Sequence, residues 1–138
     1  MMLKQLRKER GFTLIELLVV MTIIAILAVA MSVAFLRTSQ SARDTTRKAD
    51  VKNLSTKAEE FFKDKGGYPA ALSDLTGGGY LSSLPKDPKS GADYTYTPAP
   101  AGCAAGACTS FSVEATLENP NDKDGDPTTQ AFTRTNAQ

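Results

Sequence analysis

The sequence predicts an α+β fold, in which one long N-terminal helix carries a small antiparallel sheet on its second half. Three observations lead there. Residues 12–36 are apolar apart from Thr13, Glu16, Thr22 and Ser32. No Gly or Pro falls anywhere in residues 12–65, so nothing local breaks a helix across that stretch. Beyond residue 68, short alternating segments lie between turns rich in Gly and Pro, the pattern of strands.

The apolar half comes first. Its 25 residues, at about 1.5 Å each, give roughly 37 Å of helix, enough to cross a hydrocarbon core of about 30 Å with some tilt. A chain of 138 residues has too little mass to wrap such a helix on every side, so residues 12–36 are expected to protrude into lipid or against other helices. Residues 1–11 hold Lys4, Arg7, Lys8 and Arg10 against Glu9, a formal +3 that leaves −2 for the rest of a chain totalling +1. A basic segment against an apolar run has the form of a targeting sequence and favours a cytoplasmic N-terminus with an extracytoplasmic head. Arg37, Arg43, Arg47, Lys48 and Lys52 flank the other end, diluted by Asp44 and Asp50, so charge alone does not set the orientation.

After residue 36 the helix turns amphipathic. Ala42, Thr46, Ala49, Leu54, Ala58, Phe61 and Phe62 recur at three- and four-residue steps, opposite Lys48, Lys52, Lys57, Glu59, Glu60 and Lys63. Gly66 and Gly67 stop it, with Pro69 close behind. Residues 37–67 therefore form an amphipathic continuation and 68–138 a head, too small for a stable core unaided and expected to lean on that stripe. Within the head, residues 70–76 read as a helical turn and 85–88 as a stiff turn. Residues 93–97, 110–117 and 131–135 read as strands, the second with Phe111, Val113, Ala115 and Leu117 on one face. Residues 99–107 read as a loop. Cys103 lies in it and Cys108 directly after it, the only two cysteines. In an exported chain such a pair favours a disulfide, a local staple of about 2 kcal/mol, over two free thiols. With no histidine in the chain, a metal site there lacks ligands.

The junction reads Lys8-Glu9-Arg10-Gly11-Phe12-Thr13-Leu14-Ile15-Glu16. It resembles the class III signal of type IV prepilins and of the pseudopilins of type II secretion: a short basic leader ending in Gly, then Phe, then Glu at the fifth mature position. Residues 80–88 with Tyr94 and Tyr96 also resemble the head of a major pseudopilin. The resemblance covers the first 70 residues well and the rest loosely. It implies a type IV pilin-like fold with residues 1–11 as a cleaved leader and 12–36 as the transmembrane, filament-core helix. It also implies cleavage between Gly11 and Phe12 by a prepilin peptidase, which methylates the new Phe12 amine. An ordinary secretory signal is cut after its apolar segment and discarded; a cut after Gly11 retains the anchor. Glycine suits such a site because its backbone is drawn out at little cost.

Glu16 is costly inside an apolar helix unless it finds a partner. The resemblance implies that it pairs with the N-terminal amine of a neighbouring subunit and sets axial register as a filament grows. The plain alternative is a glutamate favoured by a helix N-terminus. Where many members have Gly and Pro, this chain has Ala25 and Val33, which implies a stiffer helix. Expected partners are other copies of this chain or related pilins, the prepilin peptidase, an inner-membrane assembly platform and, before assembly, membrane lipid. The expected destination is a periplasmic pseudopilus or a cell-surface pilus.

Asp122, Asp124 and Asp126 alternate as in the first half of a calcium loop. Pro127 and Thr133 stand where that loop needs Gly and a bidentate Glu, and proline cannot take the positive φ required. Major pseudopilins bind calcium in a C-terminal loop, so the resemblance implies Ca2+ as a candidate cofactor in a different geometry; the alternative is a solvated turn. A second class of function is a DNA-uptake or adhesive pilin, with Arg43, Arg47, Lys48 and Lys52 holding phosphates. Against it, no aromatic residue is interleaved with them and a solvated helix face accounts for them. An enzyme is excluded in expectation: there is no histidine and no nucleophile–base pairing.

Overall fold

The computed structural model describes residues 11–136, with the side chains of Val33 and Ala34 also outside the description. The basic leader residues Lys4, Arg7, Lys8, Glu9 and Arg10 lie outside the described residues. Helix α1 spans Leu14–Lys65, 52 residues without a break, and its backbone stays helical through Ala25 and Val33. A short helix α2 (Ser73–Gly77) follows, then strands β1 (Thr95–Ala99), β2 (Ser110–Thr116) and β3 (Ala131–Thr135). The strands form one antiparallel sheet in the order β1-β2-β3. The fold is thus the α+β arrangement expected.

By contacts the chain divides into two compact units at Leu36/Arg37. In the first, every large apolar residue whose side chain is described, from Phe12 to Leu36, is exposed. Among the described residues, α1 is the one helix long and apolar enough to cross a membrane.

In the second unit, the core forms between α1 and the inner face of the sheet. Val51, Leu54, Ala58 and Phe61 meet Phe111, Val113, Ala115, Leu117 and Phe132, with Tyr68, Leu72 and Leu75 closing one end. The alternation of β2 buries the side predicted. Strand β1 starts two residues later than the tyrosine pattern suggested and runs through Pro98, tolerated because β1 is an edge strand.

The buried stripe on α1 needs correction. It runs Asp44, Arg47, Val51, Leu54, Ala58 and Phe61, still at three- and four-residue steps. Ala42, Thr46 and Ala49 face solvent, and Phe62 is 37% exposed. Reading charged residues as solvent-facing rotated the stripe, because Asp44 and Arg47 are buried as partners.

The helix ends as the glycines dictate. Gly66 takes φ +80° and donates its N–H to the Phe62 carbonyl at 2.8 Å. A Cβ on Gly67 would lie 2.3 Å from the Gly106 carbonyl oxygen, so only glycine lets the cysteine loop approach this closely. That loop is closed by the Cys103–Cys108 disulfide, Cα–Cα 5.2 Å. It docks through Tyr68 N–H to Cys108 O at 2.8 Å and Gly106 N–H to Tyr68 O at 3.0 Å.

Candidate functional site

The start of α1 is built by two side chains. Glu16 Oε2 accepts the Thr13 N–H at 2.9 Å and the Thr13 hydroxyl at 2.8 Å. In return Thr13 Oγ1 accepts the Glu16 N–H at 3.3 Å. This reciprocal arrangement is a capping box, which satisfies two of the orphan donors at a helix N-terminus. Gly11 and Phe12 precede the helix; Phe12 is 81% exposed, and a Cβ on Gly11 would meet nothing within 4 Å. Among the described residues, none therefore demands glycine at position 11.

Of the basic cluster on α1, Lys52 is exposed as a solvated face requires, whereas Arg47 is buried and Arg43 and Lys48 are partly buried. The Arg47 side chain is only 4% exposed. Its Nη1 donates to Asp44 Oδ1 and to Glu118 Oε1, each at 2.7 Å, while its Nε and Nη2 clasp the Asp87 carboxylate. Arg43 grips Glu118 through Nε and Nη2, both at 2.8 Å, and Lys89 reaches it at 3.0 Å. Asp44 accepts the backbone N–H groups of Glu118 and Asn119 at 2.9 and 2.8 Å. Three cations and three carboxylates thus balance where α1, the turn that follows Asp87 and the residues just after β2 meet; the turn itself falls at residues 88–90, later than the 85–88 expected. The Arg47 bonds hold the Asp87 carboxyl far below the usual carboxylate range against the opposing effect of burial. Bonds from Arg43 do the same for Glu118.

Tyrosine hydroxyls add a second set of ties. Tyr94 donates to Asp50 at 2.7 Å, Tyr68 to Glu59 at 3.0 Å and Tyr80 to Asp64 at 2.9 Å. Burial, followed by the Glu59 carboxylate, pushes the Tyr68 hydroxyl up to about 12.

The acidic loop is organised around Lys48. Its Nζ donates to Asp122 Oδ1 at 2.6 Å and to Asp124 Oδ2 at 2.7 Å. Asp126 uses its Oδ1 otherwise, accepting the N–H groups of Thr128 and Thr129 at 2.8 Å each. Among the described residues, no three His, Cys, Asp or Glu side chains are grouped to hold a metal ion. As placed, this donor set does not fit Ca2+, which takes about six to eight oxygens in its first sphere.

Residues 6–32 match the family described as the prokaryotic N-terminal methylation motif. The chain is 31% identical over 109 residues to the type II secretion system core protein G of Vibrio cholerae, covering 68% of this chain and 74% of that one. It is 32% identical over 100 residues to the protein of the same description from Pseudomonas aeruginosa, covering 61% of this chain and 70% of the relative. The chain belongs to the pilin and pseudopilin family. The type IV major pilin protein PilA of Myxococcus xanthus is 34% identical over 68 residues, 49% of this chain and 31% of its own length. No solved structure matches the chain significantly.

As a pseudopilin-like chain it is a structural subunit rather than an enzyme. Sequence reasoning took Asp44 only as a diluting charge and passed over Asp87 and Glu118, the carboxylates that together hold Arg43 and Arg47. One signal could have found them. Asp44 and Arg47 continue the spacing of Val51, Leu54, Ala58 and Phe61, and an ionisable pair on an apolar stripe is expected to be partnered when buried.

Proposed function

We propose that this chain is inserted in a membrane as a precursor, cut between Gly11 and Phe12 by a prepilin peptidase, and polymerised through the apolar half of α1. Its N-terminus begins in the cytoplasm and its head lies outside. One observation carries the reading: the methylation motif at residues 6–32 heads directly into a helix whose described large apolar side chains up to Leu36 are all exposed. Such a surface requires lipid, then other copies of the same helix, to cover it. Among the described residues, nothing packs where a side chain at Gly11 would stand, which leaves room for a role in processing. Phe12 is the residue whose new amine is methylated. Glu16 exchanges its capping-box contacts for the Phe12 amine of the next subunit, which sets the register.

Between the destinations, a type II secretion pseudopilus is favoured over a surface pilus. The two core protein G relatives match over 74% and 70% of their length, the major pilin over 31%. The DNA-uptake reading is weaker, since Arg43, Arg47 and Lys48 are engaged by carboxylates of the head.

The test is co-expression with a prepilin peptidase, followed by intact-mass measurement of the membrane-extracted protein. The expected product begins at a methylated Phe12, and Gly11→Trp leaves the uncut precursor in the membrane. Normal mature protein from that variant would overturn the cleavage assignment.

A further inference from the structure

The segment joining β2 to β3, residues 117–130, carries four of the chain's acidic residues, at positions 118, 122, 124 and 126. Residues 122–126 hold three of these within five positions. Like charges so close repel, and a segment of this composition would ordinarily be held by a bound cation or left loose. Here it is neither. Leu117 N–H donates to Gln130 O at 2.9 Å, Asp126 N–H to Ala131 O at 2.9 Å and Gln130 N–H to Asp126 O at 2.8 Å, closing the segment at its base. Gly125 lies against Leu117: a Cβ added there would meet Leu117 Cδ1 at 3.1 Å.

The cation that meets the carboxylates comes from the chain itself. Lys48 rises from the face of α1 that packs on the head, its side chain 23% exposed. Its Nζ touches Asp122 and Asp124 at 2.6 and 2.7 Å and lies 6.0 Å from the centroid of the Phe132 ring. Asp122 Oδ1 also accepts the Asp124 N–H at 3.0 Å, so the ammonium sits on a preformed turn. An ammonium has three donors and two are used on these carboxylates. A divalent ion entering the same place would be repelled by the fixed positive charge. It would also have to displace Lys48 from Asp122 and Asp124, while Oδ1 of Asp126 is already taken by the N–H groups of Thr128 and Thr129.

We propose that Lys48 takes the structural place of a loop metal, so that the β2–β3 segment of this chain folds and holds without calcium. The inference stands on the head's own contacts and does not depend on how the chain is processed or assembled.

The test uses the full chain in detergent micelles. Melting is followed with millimolar CaCl2 and, separately, with EDTA, alongside calorimetric titration of CaCl2 into EDTA-stripped protein. The expected result is one Tm in both conditions, no saturable heat, and amide exchange protection of residues 119–126 that the chelator leaves unchanged. A Tm raised by several degrees in calcium, or saturable binding, would overturn the proposal. Lys48→Ala is expected to lower Tm and the protection of residues 119–126, with Lys48→Arg retaining most of both. Should Lys48→Ala fail to fold, the Asp122→Asn/Asp124→Asn pair supplies the same comparison, because it removes what the ammonium binds. Unchanged protection of residues 119–126 in the lysine variant or in the aspartate pair would equally overturn the proposal.

Discussion

Arg47 and Glu118 stand 71 residues apart, and Nη1 of the one donates to Oε1 of the other at 2.7 Å. Their side chains are 4% and 12% exposed, and Asp44 and Asp87 share the same guanidinium. Removing the cation while leaving the carboxylates strands buried charge. Arg47→Ala is therefore expected to cost about 3–5 kcal/mol in chemical denaturation of the detergent-solubilised chain. A loss below about 1 kcal/mol, the range of a surface ion pair, would show that the cluster is not buried in solution.

The same cluster sets an acid limit. Asp87 and Glu118 titrate below their ordinary values of 3.8 and 4.5 when folded. In the window just below those values the unfolded chain binds more protons than the folded one, so stability falls as pH falls. Melting temperature is expected to be level near neutrality and to drop progressively as pH descends through about 4.5. Glu118→Gln should start lower and show a shallower acid slope. An unchanged slope in that variant would remove Glu118 from the account.

The corrected helical stripe can be tested by contrast. Val51 is fully buried and Thr46 faces solvent. Val51→Ala is expected to destabilise the head by about 1–3 kcal/mol. Thr46→Ala should lie within about 0.5 kcal/mol of the unaltered chain. Denaturant midpoints measured side by side decide it; the reverse order would restore the rotated stripe.

The disulfide closes a loop of short span, with Cys103 and Cys108 five residues apart. Replacing both by serine is expected to cost about 2 kcal/mol, because a short loop frees little unfolded-state entropy. For a head of this size that corresponds to a fall of roughly 8–16 °C in Tm. A reductant acting on the unaltered chain should reproduce the shift, and should do nothing to the serine variant.

Glu16 is held by Thr13 in the single chain. Glu16→Val is expected to leave insertion and N-terminal cleavage intact while preventing assembly. Cysteine cross-linking between neighbouring heads would then yield monomers in place of ladders. Ladders of normal length would show that register is set elsewhere.

Much of this molecule was legible from local pattern. The apolar stretch at residues 12–36, the absence of helix breakers through Lys65 and the alternation of Phe111, Val113, Ala115 and Leu117 are periodicities that neighbouring residues impose on one another. They led to α1, to β2 and its buried face, and to β3 at its observed bounds. The β1 boundary slipped because strand ends depend on partners as much as on residue type.

The sequence by itself determined the family-specific N-terminus, the membrane-length helix and the α+β class, because each is written in contiguous residues or short spacings; it favoured the two-cysteine staple, which the fold closes. Only the tertiary structure decided where the charges go. Arg47 finds Asp87 and Glu118, and Lys48 finds Asp122 and Asp124, across separations of 40 to 76 residues. Each lysine or arginine on an amphipathic helix looks solvent-bound when read alone. A carboxylate delivered by a distant loop can reverse that, because a paired and hydrogen-bonded charge is tolerated where an isolated one is expelled. The path of the chain brings those partners together; the spacing within α1 marks Asp44 and Arg47 for burial but names none of the distant carboxylates.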